Sequence, residues 1–290
     1  MNPTNSMIEK RLYIRIKMVK FKKYIGCLLI VMQLVSVPLL WAGPYPPAAG
    51  ETGSHAISME DSAFVYWATG YSDYVVGKNV DETWQVPENA LGEAEGNSFD
   101  IVALGSGGML TLTFDSPIEN GEGWDFAVFE NSFDGKYLEL AYVEVSSNGV
   151  DFARFETMSL TVDPVPGFGN IDPTDVDGLA GKYRQGYGAP FDLEDLANNP
   201  GVLSGEVDLS GISHVRIVDV VGDGSSLDSS GAVIYDPYPT QISAGFDLDA
   251  VGVSNGAPYP AGEYVPPESP AKDGKSGFGD DTGCFVMTIQ

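Results

Sequence analysis

The chain has 290 residues, with 41 acidic against 15 basic side chains and a formal net charge of −26. Seven of the bases precede Gly43, where Glu9 is the one acid, so the remainder holds 8 bases against 40 acids, a net of −32. A surface of that sign repels nucleic acid and anionic membrane and excludes both as partners of the mature domain. Divalent cations are the partners it favours, and a solvated acidic coat is the alternative reading.

The first 42 residues read as a secretory signal. Lys20, Lys22 and Lys23 precede the apolar run YIGCLLIVMQLVSVPLLWA, which ends at small Ala42 before the expected cut. Met18 gives a more ordinary basic start than Met1. Leu40, three positions before the cut, leaves an uncleaved anchor as the alternative. The expected location is therefore outside the cytoplasm: extracellular, on the cell surface or periplasmic. Cys27 opens the apolar run, a poor place for a lipoprotein cysteine. Beyond the signal only Cys284 remains, and one cysteine closes no intrachain disulfide.

A Pro- and Gly-rich stretch, GPYPPAAGE, leads into strand-like runs between turn residues. In chain order these are AFVYWATG, FDIVALG, GMLTLTF, WDFAVFEN, LELAYVEVSS, HVRIVDVVG and FDLDAVGV. They are rich in β-branched and aromatic residues, and Gly, Asn, Asp or Pro punctuates them. One short helix is expected at DLEDLANN, with Asp192 capping its first turn. Many short strands without a βαβ rhythm predict an all-β fold, a jelly-roll β-sandwich with one short helix and long loops, over residues 43–255. From Gly256 to Gln290 the composition turns to a flexible Pro- and Gly-rich tail ending in TGCFVMTIQ.

Several of these strands carry acids among apolar neighbours. Alternation places Glu130 with Phe126 and Val128, Asp219 with Val215 and Ile217, and Asp247 and Asp249 with Val251 and Val253. Asn131 follows the first, and Asp134 and Glu139 lie close by. A buried carboxylate needs a partner, and bases are scarce. A structural calcium held by Glu130, Asn131, Asp219, Asp247 and Asp249 is the preferred expectation, since calcium takes six to eight oxygen ligands. The bland alternative is that these acids sit at sheet edges or accept backbone N–H bonds.

Two Asp-rich loops are weaker metal candidates. IDPTDVDG fails the EF-hand register, because Pro173 stands at the first ligand position and Arg184 where the closing Glu should be, so an Asp-stabilised turn is expected. GDGSSLDSSG, with Asp223 and Asp228, reads the same way. The segment GLAGKYRQGYGAPFDL gathers Lys182 and Arg184 with Tyr183, Tyr187 and Phe191 between glycines. Aromatic faces stack on sugars while Lys and Arg donate to their oxygens, so these five residues are the candidate ligand contacts. The other reading is a loop that only packs over the sandwich mouth. Trp67, Trp84 and Trp124 are expected in the core or at its rim.

Catalytic signatures are few. Past the signal the histidines are His55 and His214, and no HExxH, CxxC, phosphate loop or nucleophile elbow occurs. A glycosidase needs only two carboxylates, and dozens are present, so catalysis stays an alternative without a specific motif.

WDFAVFENSF followed by AYVEVSSNGVDFARF resembles a galactose-binding-like jelly roll of the discoidin and carbohydrate-binding-module type. DFAVFEN, ELAYVEVSSNGVDF, LAGKY, GYGAPFDL, YDPYPT and GFDLDAVGV together resemble a group of bacterial exported cell-surface proteins. Relatives in that group imply surface sorting tails or outer-membrane uptake of large ligands such as corrinoids. Calcium-binding carbohydrate modules imply a ligating Asp on the last strand, here Asp249 or Asp247. GCFVMTI resembles the start of a GCFIAT-type tail, which implies surface anchoring; Cys284 as a free thiol or an intermolecular bridge is the alternative. The expected function is an exported binding module for a glycan or other hydroxyl-rich small molecule, a corrinoid included. A carboxylate-dependent glycan hydrolase or lyase, or a structural adhesive protein, stands beside it.

Overall fold

The computed structural model describes residues 43–257; the signal segment and the Pro/Gly-rich tail from residue 258 onward lie outside them. In chain order the strands begin with β1 (Ile57–Ser58), β2 (Tyr66–Trp67), β3 (Gly70–Val75), β4 (Val102–Ala103), β5 (Met109–Ile118) and β6 (Phe126–Glu130). They continue with β7 (Ala141–Ser146), β8 (Ala153–Arg154), β9 (Met158–Ser159), β10 (Val176–Asp177), β11 (Tyr187–Phe191), β12 (Ile212–Asp219) and β13 (Asp247–Val253). One sheet runs β1-β11-β6-β13-β2, with β4 also on β13. The other runs β3-β5-β12-β7-β8, and β9 and β10 form a separate pair. All these ladders are antiparallel.

Alternation builds the core. Leu110 and Leu112 of β5, Val143 and Val145 of β7, and Val215 and Ile217 of β12 point inward from one sheet. Phe126 and Val128 of β6, Phe191 of β11, and Leu248, Val251 and Val253 of β13 meet them from the other. One apolar cluster shared by both sheets makes the molecule a β-sandwich. The outer face of the first-described sheet is covered too: Trp67, Ala127, Phe129 and Ala250 pack with Phe64 and Trp124. Hence β6 and β13 are buried along their whole length. On the outer face of β7, Glu144 is clasped by Arg154 and by Arg216. The Arg154 guanidinium lies 4.2 Å from the Tyr142 ring centre and that of Arg216 lies 3.6 Å from Phe152.

Three details depart from the sequence expectation. First, β13 carries a bulge. Leu248 pairs with Glu130 but Ala250 pairs with Phe129, so Asp249 is an extra residue with no counterpart on β6. The bulge resets the alternation: Leu248, Val251 and Val253 share the core face, and Asp247 and Asp249 do not share it with the valines. Second, residues 187–191 form strand β11 rather than a loop. Pro190 is tolerated because β1 pairs only with Tyr187 and Gly188, leaving no neighbour there that needs its missing N–H. Third, the helix expected at DLEDLANN is a 3₁₀ turn, Leu193–Leu196. Asp192 does cap it, accepting from Glu194 N–H at 2.9 Å. Pro200 then opens a separate one-turn helix, Pro200–Leu203, capped by Asn199.

The segment before β11 folds back on β7 through paired backbone bonds between Ala141 and Ala180. Gly181 follows at φ 80°, where an added Cβ would lie 1.8 Å from the Glu139 carbonyl oxygen. Only glycine fits that approach, and it brings the Lys182–Arg184 loop against the sandwich.

Candidate functional site

The loop and its surroundings form a cleft of about 670 Å³. It opens between the β1–β11 side of the larger sheet and the β9–β10 pair. Trp124, Phe155, Tyr183 and Phe191 give it aromatic walls, and Glu156, Asp177, Asp192 and Asp195 give it carboxylates. His55 and Lys182 complete the polar lining.

Each wall residue is fixed from behind. Phe191 stacks on Phe126 at 5.4 Å between ring centres and meets Phe155 edge-on at 4.9 Å. Tyr183 is 3% exposed and its hydroxyl pKa is pushed up to about 12, mainly by burial. Lys182 is equally buried. Its ammonium donates to the Val176 carbonyl at 2.7 Å and to Asp177 at 3.3 Å. Burial lowers its pKa, and Asp177 works in the opposite direction. The carboxylates crowd one another: partial burial raises the pKa of Asp195 first, and Asp192, Asp177, Glu156 and Glu194 add repulsion.

Of the five expected ligand contacts, Lys182, Tyr183 and Phe191 line this cleft. Tyr183 and Phe191 are at once core residues and cleft wall. Arg184 and Tyr187 do not line it. They stack on each other, with the guanidinium 4.5 Å from the ring centre. His55 stands at the cleft beside Ile57 of β1. Glu156 and Asp195 were not anticipated. The visible signal was Asp192 and Asp195 directly after Phe191, but Glu156 and Asp177 reach the cleft only through the β9–β10 pairing.

The acids expected to hold calcium divide into two groups. Asp219 accepts from Gly107 N–H at 2.8 Å and Phe246 N–H at 2.8 Å. Asp249 accepts from Glu95 N–H at 3.1 Å and Gly96 N–H at 3.0 Å. In both carboxylates each oxygen is already occupied by backbone. Glu130, Asn131 and Asp247 are brought together instead, with the Asn131 amide 3.4 Å from Asp247 Oδ2, and Glu139 joins them. Burial raises the Glu130 and Glu139 pKa values well above the carboxylate range, and repulsion by Asp247 is the next cause for each.

The Asp-rich loops serve their own backbone. Asp172 caps the turn Pro173–Asp175 by accepting from Thr174 N–H. Asp223 accepts from Ser225 N–H. Asp228 accepts from the backbone of Ser159, Ser230 and Ala232. No protein-family model and no curated protein sequence matches the chain.

Proposed function

We propose that this protein is an exported binding module that holds a glycan or other hydroxyl-rich small molecule in the cleft beside β11. The observation that carries this reading is the convergence of four aromatic walls and four carboxylates on one concavity. Its volume falls within the range of roughly 300–1,000 Å³ usual for small-molecule sites. Carboxylate oxygens accept from sugar hydroxyls, and aromatic rings cover the apolar faces of the sugar. A rigid sandwich behind the walls reduces the ordering cost of binding.

A neutral-oligosaccharide array, with cobalamin tested in parallel, is the direct experiment. Calorimetry of the strongest hit would then compare Trp124→Ala and Asp195→Asn with the unaltered chain. A hydrogen bond to a charged group is worth about 1.5–3 kcal/mol, so Asp195→Asn should weaken binding roughly 10- to 100-fold. Equal affinity in both variants would remove the cleft from the reading.

Hydrolysis or lysis of a glycan is the second reading, and one observation favours it. Asp195 has a raised pKa among neighbouring carboxylates, the environment that separates a general acid from its partner. Release of reducing ends from a bound oligosaccharide, lost in Asp195→Asn, would select this reading over simple binding.

A further inference from the structure

Where the end of β6, the segment before β7 and the start of β13 meet, three acids are enclosed: Glu130, Glu139 and Asp247. Their exposures are 1%, 4% and 4%. Each has one buried oxygen with no hydrogen-bond partner: Glu130 Oε1, Glu139 Oε1 and Asp247 Oδ1. The companion oxygens are engaged where donors exist. Ser132 N–H reaches Glu130 Oε2 at 2.8 Å, and the Asn131 amide approaches Asp247 Oδ2. The ion pairs among the described residues use Glu144 and Asp177, and none reaches this cluster.

These three acids repel one another, and Asp219 and Asp236 lie close enough to add to the repulsion on Glu139. Asp219 and Asp236 have backbone donors, the latter accepting from Leu140 N–H at 2.8 Å. The unpartnered oxygens of the other three have none. Such an arrangement calls for a positive group from outside the chain's own side chains.

We propose that Glu130, Glu139 and Asp247 form a calcium site, independent of the cleft. A softer metal is disfavoured because the cluster offers no thiolate or imidazole. Magnesium demands a near-ideal octahedron and retains water, which an irregular buried set does not suit. Calcium accepts an irregular shell of carboxylate, amide and carbonyl oxygens. Among the described residues no group of three or more His, Cys, Asp or Glu side chains is arranged to hold a metal ion as it stands. The three carboxylates therefore draw in on the ion, and Asn131 Oδ1 and carbonyls of residues 131–139 supply further ligands. Turning the Asn131 amide about its axis presents its oxygen in place of its nitrogen.

Terbium, an oxygen-seeking stand-in for calcium, gives a readout separate from ligand binding. Tyr137, whose pKa is raised by burial and then by Glu139 and Asp247, is placed to sensitise its emission. The full chain, stripped of metal, should show one sensitised terbium site that calcium displaces. Glu139→Gln and Asp247→Asn should each weaken that site at least tenfold, whereas Asp223→Asn, on a surface turn, should leave it intact. Unchanged terbium titrations in both cluster variants would overturn the assignment, as would an equal loss in Asp223→Asn. Should the variants fail to fold, elemental analysis of the unaltered chain dialysed against millimolar calcium decides. About one ion per chain supports the site, and none overturns it.

Discussion

Asp219 shows what a single residue costs and returns. It is a carboxylate in the core end of β12, held by the N–H groups of Gly107 and Phe246. Gly245, at φ 71°, turns the chain so that Phe246 can donate; a Cβ there would lie 2.5 Å from the Asp219 oxygen. Burial outweighs the two hydrogen bonds and raises its pKa from 3.8 to about 7. The folded chain thus binds this proton more tightly than the unfolded chain does. Its contribution to stability is fully present below about pH 4 and is lost as pH rises toward about 7. In chelator, the melting temperature of the full chain should fall over that window, and Asp219→Asn should flatten the fall. The same variant keeps one acceptor but turns an amide N–H toward the other donor. At pH 5, where Asp219 is itself protonated and turns an O–H toward one donor, the two chains should differ by less than about 1 kcal/mol in a denaturant titration.

At the scale of elements, the bulge in β13 does the positioning. It frees Asp249 from the ladder to bind the backbone of Glu95 and Gly96, and so ties the segment before β4 to the sheet. Asp249→Ala leaves those two amides without an acceptor. Hydrogen exchange should show their protection lost while that of Val251 and Val253 persists; unaltered exchange at Glu95 and Gly96 would deny Asp249 this role. Much of the sheet framework was legible in sequence, because β5 and β12 alternate apolar with polar side chains and β6 and β7 are rich in β-branched or aromatic residues. Glu130 and Asp219 faced inward as alternation required. The bulge was not legible, since a one-residue register shift leaves no mark on composition. Strand β11 was hidden by its Gly and Pro, whose usual meaning is a turn. Lys182, Tyr183 and Phe191 were legible as a group, yet the acids facing them come from segments joined only by tertiary pairing.

For the molecule as a whole, charge and topology set the terms. Among the described residues three cations are committed to nearby oxygens: Arg154 and Arg216 to Glu144, and Lys182 to Val176 and Asp177. The remaining acids must be met by backbone N–H groups, by water, or by ions from outside. Backbone solves the problem for Asp219 and Asp249, and leaves Glu130, Glu139 and Asp247 without a complete solution. The larger sheet has a further property. Its last strand in sequence, β13, is flanked by β6 on one side and by β2 and β4 on the other. A chain shortened to end before Asp247 should show neither a cooperative melting transition nor protected amides in β6, and native-like folding of that fragment would refute this. On the ribosome, then, half of the sandwich waits for β13, a strand made after all of its neighbours. Until β13 emerges, β2, β4 and β6 have no strand in common, and the larger sheet stays open.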